Sequence, residues 1–214
     1  DTMPLILVYR NFLLNTLRLR RKVDTIYRIP VNHEDWRFRY ASMTLISETW
    51  QTWCRFCCEV IMASCRGTHL RNGTLVPPRP ANNNRQRVSY EISEYARSHT
   101  PLQNKQNAYL SQEPTWGDVN VLLRALPRLG VSNSVLLITA FGISTQAPTH
   151  LQIVRNACYH LNSETIRKVR SIQPFYIGTV NHPCELIWCL ESTSRSDAVY
   201  FWLDEMETIA ALAT

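Results

Sequence analysis

Hydrophobic positions recur at intervals of three and four along almost the whole chain, which is the spacing of one apolar face on an α-helix. Leu, Ile, Val and Phe keep that spacing from Leu5 to Arg28 with no proline until Pro30, so a first long helix is expected there. Ile46, Trp50, Trp53, Cys54, Cys57, Val60, Ile61 and Ser64 form one i, i+3, i+4, i+7 stripe, which predicts a second long helix over 46–65 with Gly67 as its stop. The pattern then breaks. From Thr68 to Arg87 the chain carries Pro77, Pro78, Pro80, the run Asn82, Asn83, Asn84 and the cations Arg71, Arg79, Arg85 and Arg87, which read as a long exposed basic loop. A short helix over 89–97 and another loop to Pro114 follow.

The second half is punctuated more clearly. Thr115 is placed to cap a helix that runs to about Leu126 and ends at Pro127. Ser132 or Asn133 caps an apolar helix through Phe141, closed by Gly142, and Pro148 suits the first turn of a helix running to about Leu161. Asn162 or Ser163 caps the next helix, through Ile172, ahead of Pro174. The last helix starts near Ser196 and Asp197, with Val199, Trp202, Leu203, Met206 and Ile209 inward and Asp204, Glu205 and Glu207 outward. No internal repeat, heptad run or βαβ alternation is present. The expected fold is an all-α helical bundle with a long basic loop. It is read as a single domain over 1–214, with N-terminal helices (1–67), a loop-rich segment (68–114) and a helical core (115–214).

Composition narrows the class. Six glycines in 214 residues are too few for the turns of a β-sandwich or barrel. With 45% hydrophobic and 19% charged residues, the chain can build a core and lacks the composition of a disordered one. The formal charge is +6, carried by 20 Arg against 3 Lys. Guanidinium forks hold phosphate and carboxylate better than ammonium groups do, so the bias leans towards an anionic partner, the alternative being a G+C-rich genome, which also enriches Arg. No apolar run approaches the ~18 residues of a membrane span. Leu5–Val8 is followed by Arg10 and by no small-residue cleavage site, so neither membrane association nor a signal peptide is expected. Seven cysteines, an odd number without secretory signals, suit reduced thiols in the cytoplasm.

Candidate chemistry concentrates at Val154-Arg155-Asn156-Ala157-Cys158-Tyr159-His160-Leu161-Asn162. Asn156 and His160, four apart, share a helix face, and the long arm of Arg155 reaches the same spot. A guanidinium, an amide and an imidazole are the parts needed to bind a phosphodiester and move protons around it. The plainer reading is that Arg155 and His160 cap and pair within the bundle. Other constellations are weaker. Cys54, Cys57 and Cys58 contain a C-x-x-C, but no second such pair completes a metal site, and helical burial explains them and Cys65. His182 and Cys184 add at most two ligands. His33, His69, His99 and His150 are isolated and read as surface or capping residues. Arg18, Arg20, Arg21 and Lys22, with Arg71, Arg85 and Arg87, are candidates to cradle an RNA backbone, the alternative being a solvated face paired with acids such as Asp24. Trp36, Trp50, Trp53 and Trp116 are candidates for base stacking, though helical spacing favours the core. No glycine-rich phosphate loop and no nucleophile elbow are present.

The Arg155-Asn156-x-x-x-His160 segment resembles the signature of the HEPN superfamily, an Arg, a polar residue, three variable residues and a His on a late helix of an all-α bundle. The resemblance covers roughly Trp116 to the C-terminus. A second Arg–His spacing, Arg28 to His33, contains Pro30 and does not suit a helical face. Membership implies a metal-independent, cofactor-free endoribonuclease acting as a homodimer, with two copies of the motif facing each other. His160 is then general base or acid, Arg155 the stabiliser of transition-state charge, and Asn156 the orienting group. Such proteins commonly serve as toxins or antiviral defence effectors, often with an inhibitory or activating protein partner. Some toxin members carry a modifiable Tyr two residues after the His. Asn162 stands there in this chain, beside Tyr159 on the other flank of the His. The alternatives are a non-catalytic HEPN-like module that binds RNA, a nucleotide or a protein, and a structural subunit of a larger assembly.

Overall fold

In the computed structural model, which describes residues 3–28, 35–97 and 113–214, regular structure is helical apart from two hairpins of two-residue strands. Its elements are α1 (Leu5–Tyr27), α2 (Trp36–Arg66), β1 (Thr68–His69), β2 (Leu75–Val76), α3 (Arg85–Arg97), α4 (Val119–Leu129), α5 (Ser134–Ile143), α6 (Gln146–Tyr159), α7 (Ser163–Ile172), β3 (Tyr176–Ile177), β4 (Leu190–Glu191) and α8 (Ala198–Ala213). The all-α class expected from periodicity is what the chain adopts. Among the described residues no helix is long and apolar enough to cross a membrane. The chain groups into two compact units, each assembled from separate segments: Asp1–Phe12, Cys54–Thr145 and Thr208–Thr214 in the first, Leu13–Trp53 and Gln146–Glu207 in the second.

The first unit packs α3, α4 and α5 with the C-terminal part of α2. Phe56, Ile61, Val88, Ile92, Leu122, Leu126, Leu137 and Phe141 are buried in it, and Phe12 meets Phe56 at 4.7 Å between ring centroids. Gly67 ends α2 with φ of 87°, and a Cβ there would lie 2.8 Å from Pro78 Cδ, so only glycine fits between the helix end and the returning chain. The antiparallel pairing of Thr68 with Val76 and His69 with Leu75 follows.

The expected loop over 68–87 is shorter than its composition suggests, and most of it is exposed as expected, with Arg79 a buried exception. Arg79 is 5% exposed: its guanidinium donates to Glu91, to Leu129 O (2.9 Å), to Asn83 Oδ1 (2.6 Å) and to Asn82 O (2.9 Å). Those bonds fold the asparagine run back on itself and tie it to α3 and α4. Helix α3 starts at Arg85, four residues before the expected Ser89, and Asn84 Oδ1 accepts the Arg87 N–H at 2.7 Å. Helix α4 is capped by Asp118, which accepts from the Asn120 and Val121 N–H groups, not by Thr115. It also runs past Pro127 to Leu129, because burying Leu126 and Leu129 on either side of the proline offsets one lost helical bond.

The second unit packs α6 and α7 with the N-terminal part of α2 and the first turns of α8. Its buried residues include Val23, Phe38, Leu45, Trp53, Leu151, Val154, Val169, Ile187, Trp202, Leu203 and Met206. Helix α2 begins at Trp36, ten residues before the expected start at Ile46, because Phe38, Ser42 and Leu45 already set one buried position per turn. The link from β3 to β4 is held by a 3-10 turn at Pro183–Trp188. In it Glu185 Oε2 accepts the Asn181 and His182 N–H groups at 2.8 and 3.1 Å, and Arg39 Nη2 lies 3.6 Å from Glu185 Oε1. Glu191, 3% exposed, accepts from the Thr193 and Ser194 N–H groups, and these bonds hold its carboxyl below the usual range despite burial.

Candidate functional site

Helix α6 buries Ala147, His150, Leu151, Val154, Ala157 and Cys158, one stripe at helical spacing. That stripe leaves Arg155 and Asn156 on its flank and Tyr159 and His160 at the surface. Arg155 Nη1 donates to Asn156 Oδ1 at 3.1 Å, and the guanidinium carbon lies 5.4 Å from the centre of the Tyr159 ring. No carboxylate among the described residues pairs with Arg155, whereas Arg20, Arg79, Arg85 and Arg87 all have one. The Arg155 Nε is buried without a hydrogen-bond partner, so one donor of the fork is unspent.

His160 is the first residue beyond α6. Its N–H still donates to Asn156 O at 2.9 Å. Its carbonyl accepts the Thr165 hydroxyl at 2.7 Å, and Thr165 is also half of a capping box with Asn162 that starts α7. The backbone of His160 is thus pinned from both sides while its ring is exposed and bonds to no described residue. Asn162 serves as the α7 cap. Tyr159 OH donates to Met43 O at 3.4 Å, which brings the motif next to the first turns of α2. Trp36 and Tyr40 stand there one turn apart, 73% and 68% exposed. Of the four tryptophans considered for stacking, Trp50, Trp53 and Trp116 are buried and only Trp36 is open to solvent.

The basic residues expected to cradle RNA are mostly engaged elsewhere. In the second unit, Arg20 pairs with Asp204 (2.7 Å) and Glu207 (3.1 Å), and Lys22 pairs with Glu48. Arg18 bonds only to Asn15 Oδ1, at 3.3 Å, and Arg21 is exposed. In the first unit, Arg85 grips Glu113 with two bonds of 2.8 and 3.1 Å, and Arg87 pairs with Glu91 at 2.6 Å. Arg71 lies over the Tyr9 ring at 4.4 Å and donates to Ala211 O. A cation already facing a carboxylate has less attraction left for phosphate, which leaves Arg18, Arg21 and Arg71 as the members of the set that face no carboxylate among the described residues.

All seven cysteines are unpaired. Burial pushes the Cys58 and Cys65 thiols up to about 11 and Cys158 and Cys184 up to about 12, so these four are not poised as thiolate nucleophiles. His182 Nδ1 lies 3.0 Å from Cys184 Sγ, but this pair caps the 3-10 turn. Among the described residues no three His, Cys, Asp or Glu side chains converge as metal ligands. His33, His99 and most of the Arg28 to His33 spacing lie outside the described residues.

His150 corrects the sequence expectation. It is a buried residue, 6% exposed, and not a surface or capping one. Its Nδ1 lies 2.6 Å from Tyr176 OH, which accepts the Trp202 indole N–H at 2.8 Å. The phenol oxygen thus accepts the indole N–H and shares a second hydrogen bond with the imidazole Nδ1. Burial lowers the His150 pKa to about 4 and raises that of Tyr176. Tyr176 is 26 residues away in sequence, so no local pattern announced the pair. Comparison with family models, with curated proteins and with solved structures finds no match for this chain.

Proposed function

We propose that this chain is a metal-independent endoribonuclease of the HEPN type that cuts single-stranded RNA, working as a homodimer with a composite site. One observation carries the reading: a solvent-exposed His160, fixed at the end of α6, stands five residues after an arginine that no described carboxylate neutralises and four after an asparagine bonded to that arginine. In the proposed reaction the RNA 2′-hydroxyl oxygen attacks the adjacent phosphorus as His160 of one subunit takes its proton. The bond to the 5′-oxygen breaks, and the same residue of the second copy supplies the proton that the leaving oxygen needs. Arg155 stabilises the added charge on the pentavalent phosphoryl group. The products are a 2′,3′-cyclic phosphate and a 5′-hydroxyl, and DNA, which lacks the nucleophile, is not a substrate. Trp36 and Tyr40, exposed two turns and one turn before the Met43 that Tyr159 bonds, support the choice of a single strand, whose bases stack on aromatic rings. The setting proposed with this activity is a cytoplasmic toxin or defence effector held in check by a protein partner.

The test is incubation with labelled single-stranded RNA in EDTA, beside Arg155→Ala and His160→Ala. Loss of the histidine should lower the cleavage rate by ~10²–10⁴ and leave melting unchanged. Tight, steeply salt-dependent binding of RNA that stays intact would replace the nuclease with a binding module.

A further inference from the structure

A cavity of about 410 Å³ opens in the first unit between the last turn of α3 and α4, lined by Tyr95, Arg97, Leu123, Arg124, Pro127 and Arg128 among others. That volume falls within the roughly 300–1,000 Å³ of small-molecule sites. Every charged side chain lining it is an arginine. Arg97 makes no hydrogen bond or ion pair with a described residue, and Arg124 spends only its Nε, on Asn120 O at 3.2 Å. Arg128 lies 4.5 Å over the Tyr95 ring. Elsewhere in this unit Arg79, Arg85 and Arg87 each face a glutamate. Arg97 and Arg124 are thus set apart by having no carboxylate among the described residues of the wall they share. The rest of that wall, Ala96, Leu123, Pro127 and the Tyr95 ring, is apolar.

Guanidinium groups gathered round one space repel each other, and a doubly charged phosphate with its rigid oxygens relieves the repulsion while matching their forks. A bare anion would leave the apolar wall uncovered, whereas a flat ring attached to the phosphate covers it. We propose that this cavity binds a nucleoside phosphate, either a free mononucleotide or the phosphorylated end of an RNA strand, with Arg97 and Arg124 on the phosphate and the ring against Leu123, Pro127 and Tyr95. The site is separate from Arg155 and His160 and does not rest on the ribonuclease reading.

The experiment is isothermal titration of the full chain with AMP, adenosine and inorganic phosphate. In the His160→Ala background, where RNA should survive, the probes are single-stranded RNA hexamers with a 5′-phosphate or a 5′-hydroxyl. AMP should bind at least tenfold tighter than adenosine or phosphate alone, and Arg97→Ala and Arg124→Ala should each weaken it about tenfold or more. Both arginines are exposed, so unchanged melting of the two variants shows that the loss is one of binding and not of folding. Arg124→Lys keeps the charge without the fork and should recover only part of the affinity. A 5′-phosphorylated hexamer that binds better than the 5′-hydroxyl one, through the same arginines, assigns the site to an RNA end. Equal hexamers beside tight AMP assign it to a free nucleotide. The proposal is overturned if neither AMP nor the phosphorylated hexamer binds saturably at millimolar concentration, if phosphate binds as well as AMP, or if the arginine variants bind AMP like the parent.

Discussion

Two histidines mark the two ends of α6, and their surroundings give them opposite characters. His150 is buried, bonded to Tyr176 in a chain that continues to Trp202, and has its pKa driven down to about 4. His160 is exposed, held only by its backbone, and its ring is uncommitted. The same side chain is thus a buried, hydrogen-bonded group in one place and an exposed ring bonded to no described residue in the other. Burial and the identity of the partner decide the difference, and helix position does not.

The sharpest way to break this contrast is to remove the centre of the buried cluster. Tyr176→Phe keeps the ring and takes away the hydroxyl, leaving His150 Nδ1 without its partner and Trp202 Nε1 without its acceptor. Each orphaned buried group costs roughly 1–3 kcal/mol, so urea unfolding should show a loss of about 3 kcal/mol. His160→Ala should stay within about 0.5 kcal/mol of the parent. Equal losses in the two variants would erase the distinction.

The next effect is on pH. The folded protein keeps His150 neutral down to a pKa of about 4, while the unfolded chain takes up that proton near the ordinary value of 6.5. Between those values the unfolded state binds more protons, so stability falls as pH falls. The slope from this group is at most about 1.4 kcal/mol per pH unit and vanishes below about pH 4. Urea midpoints of the parent and of His150→Phe at pH 7 and pH 5 measure it. The variant, though weaker, should lose less stability across that interval. An identical slope in both proteins would mean that His150 does not titrate on unfolding in this range.

What could be read from the sequence follows from the range of the interactions. The motif was legible because a helix brings Asn156 and His160 together from four positions apart. The α7 start at Asn162 and the inward face of α8 were legible for the same local reason, and both are found as expected. Partners distant in sequence were not legible. Arg79 looked like one more cation of an exposed loop until Glu91 and the Leu129 carbonyl stood opposite it. Arg20 and Lys22 looked available for RNA until Asp204, Glu207 and Glu48 neutralised them. His150 looked isolated because Tyr176 and Trp202 come from β3 and α8. The early start of α2 was hidden by Arg37, Arg39 and Tyr40, which interrupt the apolar pattern although they sit on the solvent side of a helix that is already formed.

The smallest effect probes what holds the exposed end of α6 in order. Tyr159 contributes a ring beneath Arg155 at 5.4 Å and a long hydroxyl bond to Met43 O at 3.4 Å. A cation over an exposed ring contributes about 0.5–1 kcal/mol, and a stretched bond to a carbonyl at the surface contributes less. Tyr159→Phe keeps the ring and should leave both melting and RNA cleavage as they were. Tyr159→Leu removes the ring, frees the Arg155 arm, and should lower cleavage a few-fold while shifting stability by less than about 1 kcal/mol. Because the ring touches the guanidinium and not the histidine, the loss should fall on the step that Arg155 assists, and adding Arg155→Ala to Tyr159→Leu should cost no more than Arg155→Ala alone. Full additivity of the two losses would show that Tyr159 acts on the site by some route other than the arginine.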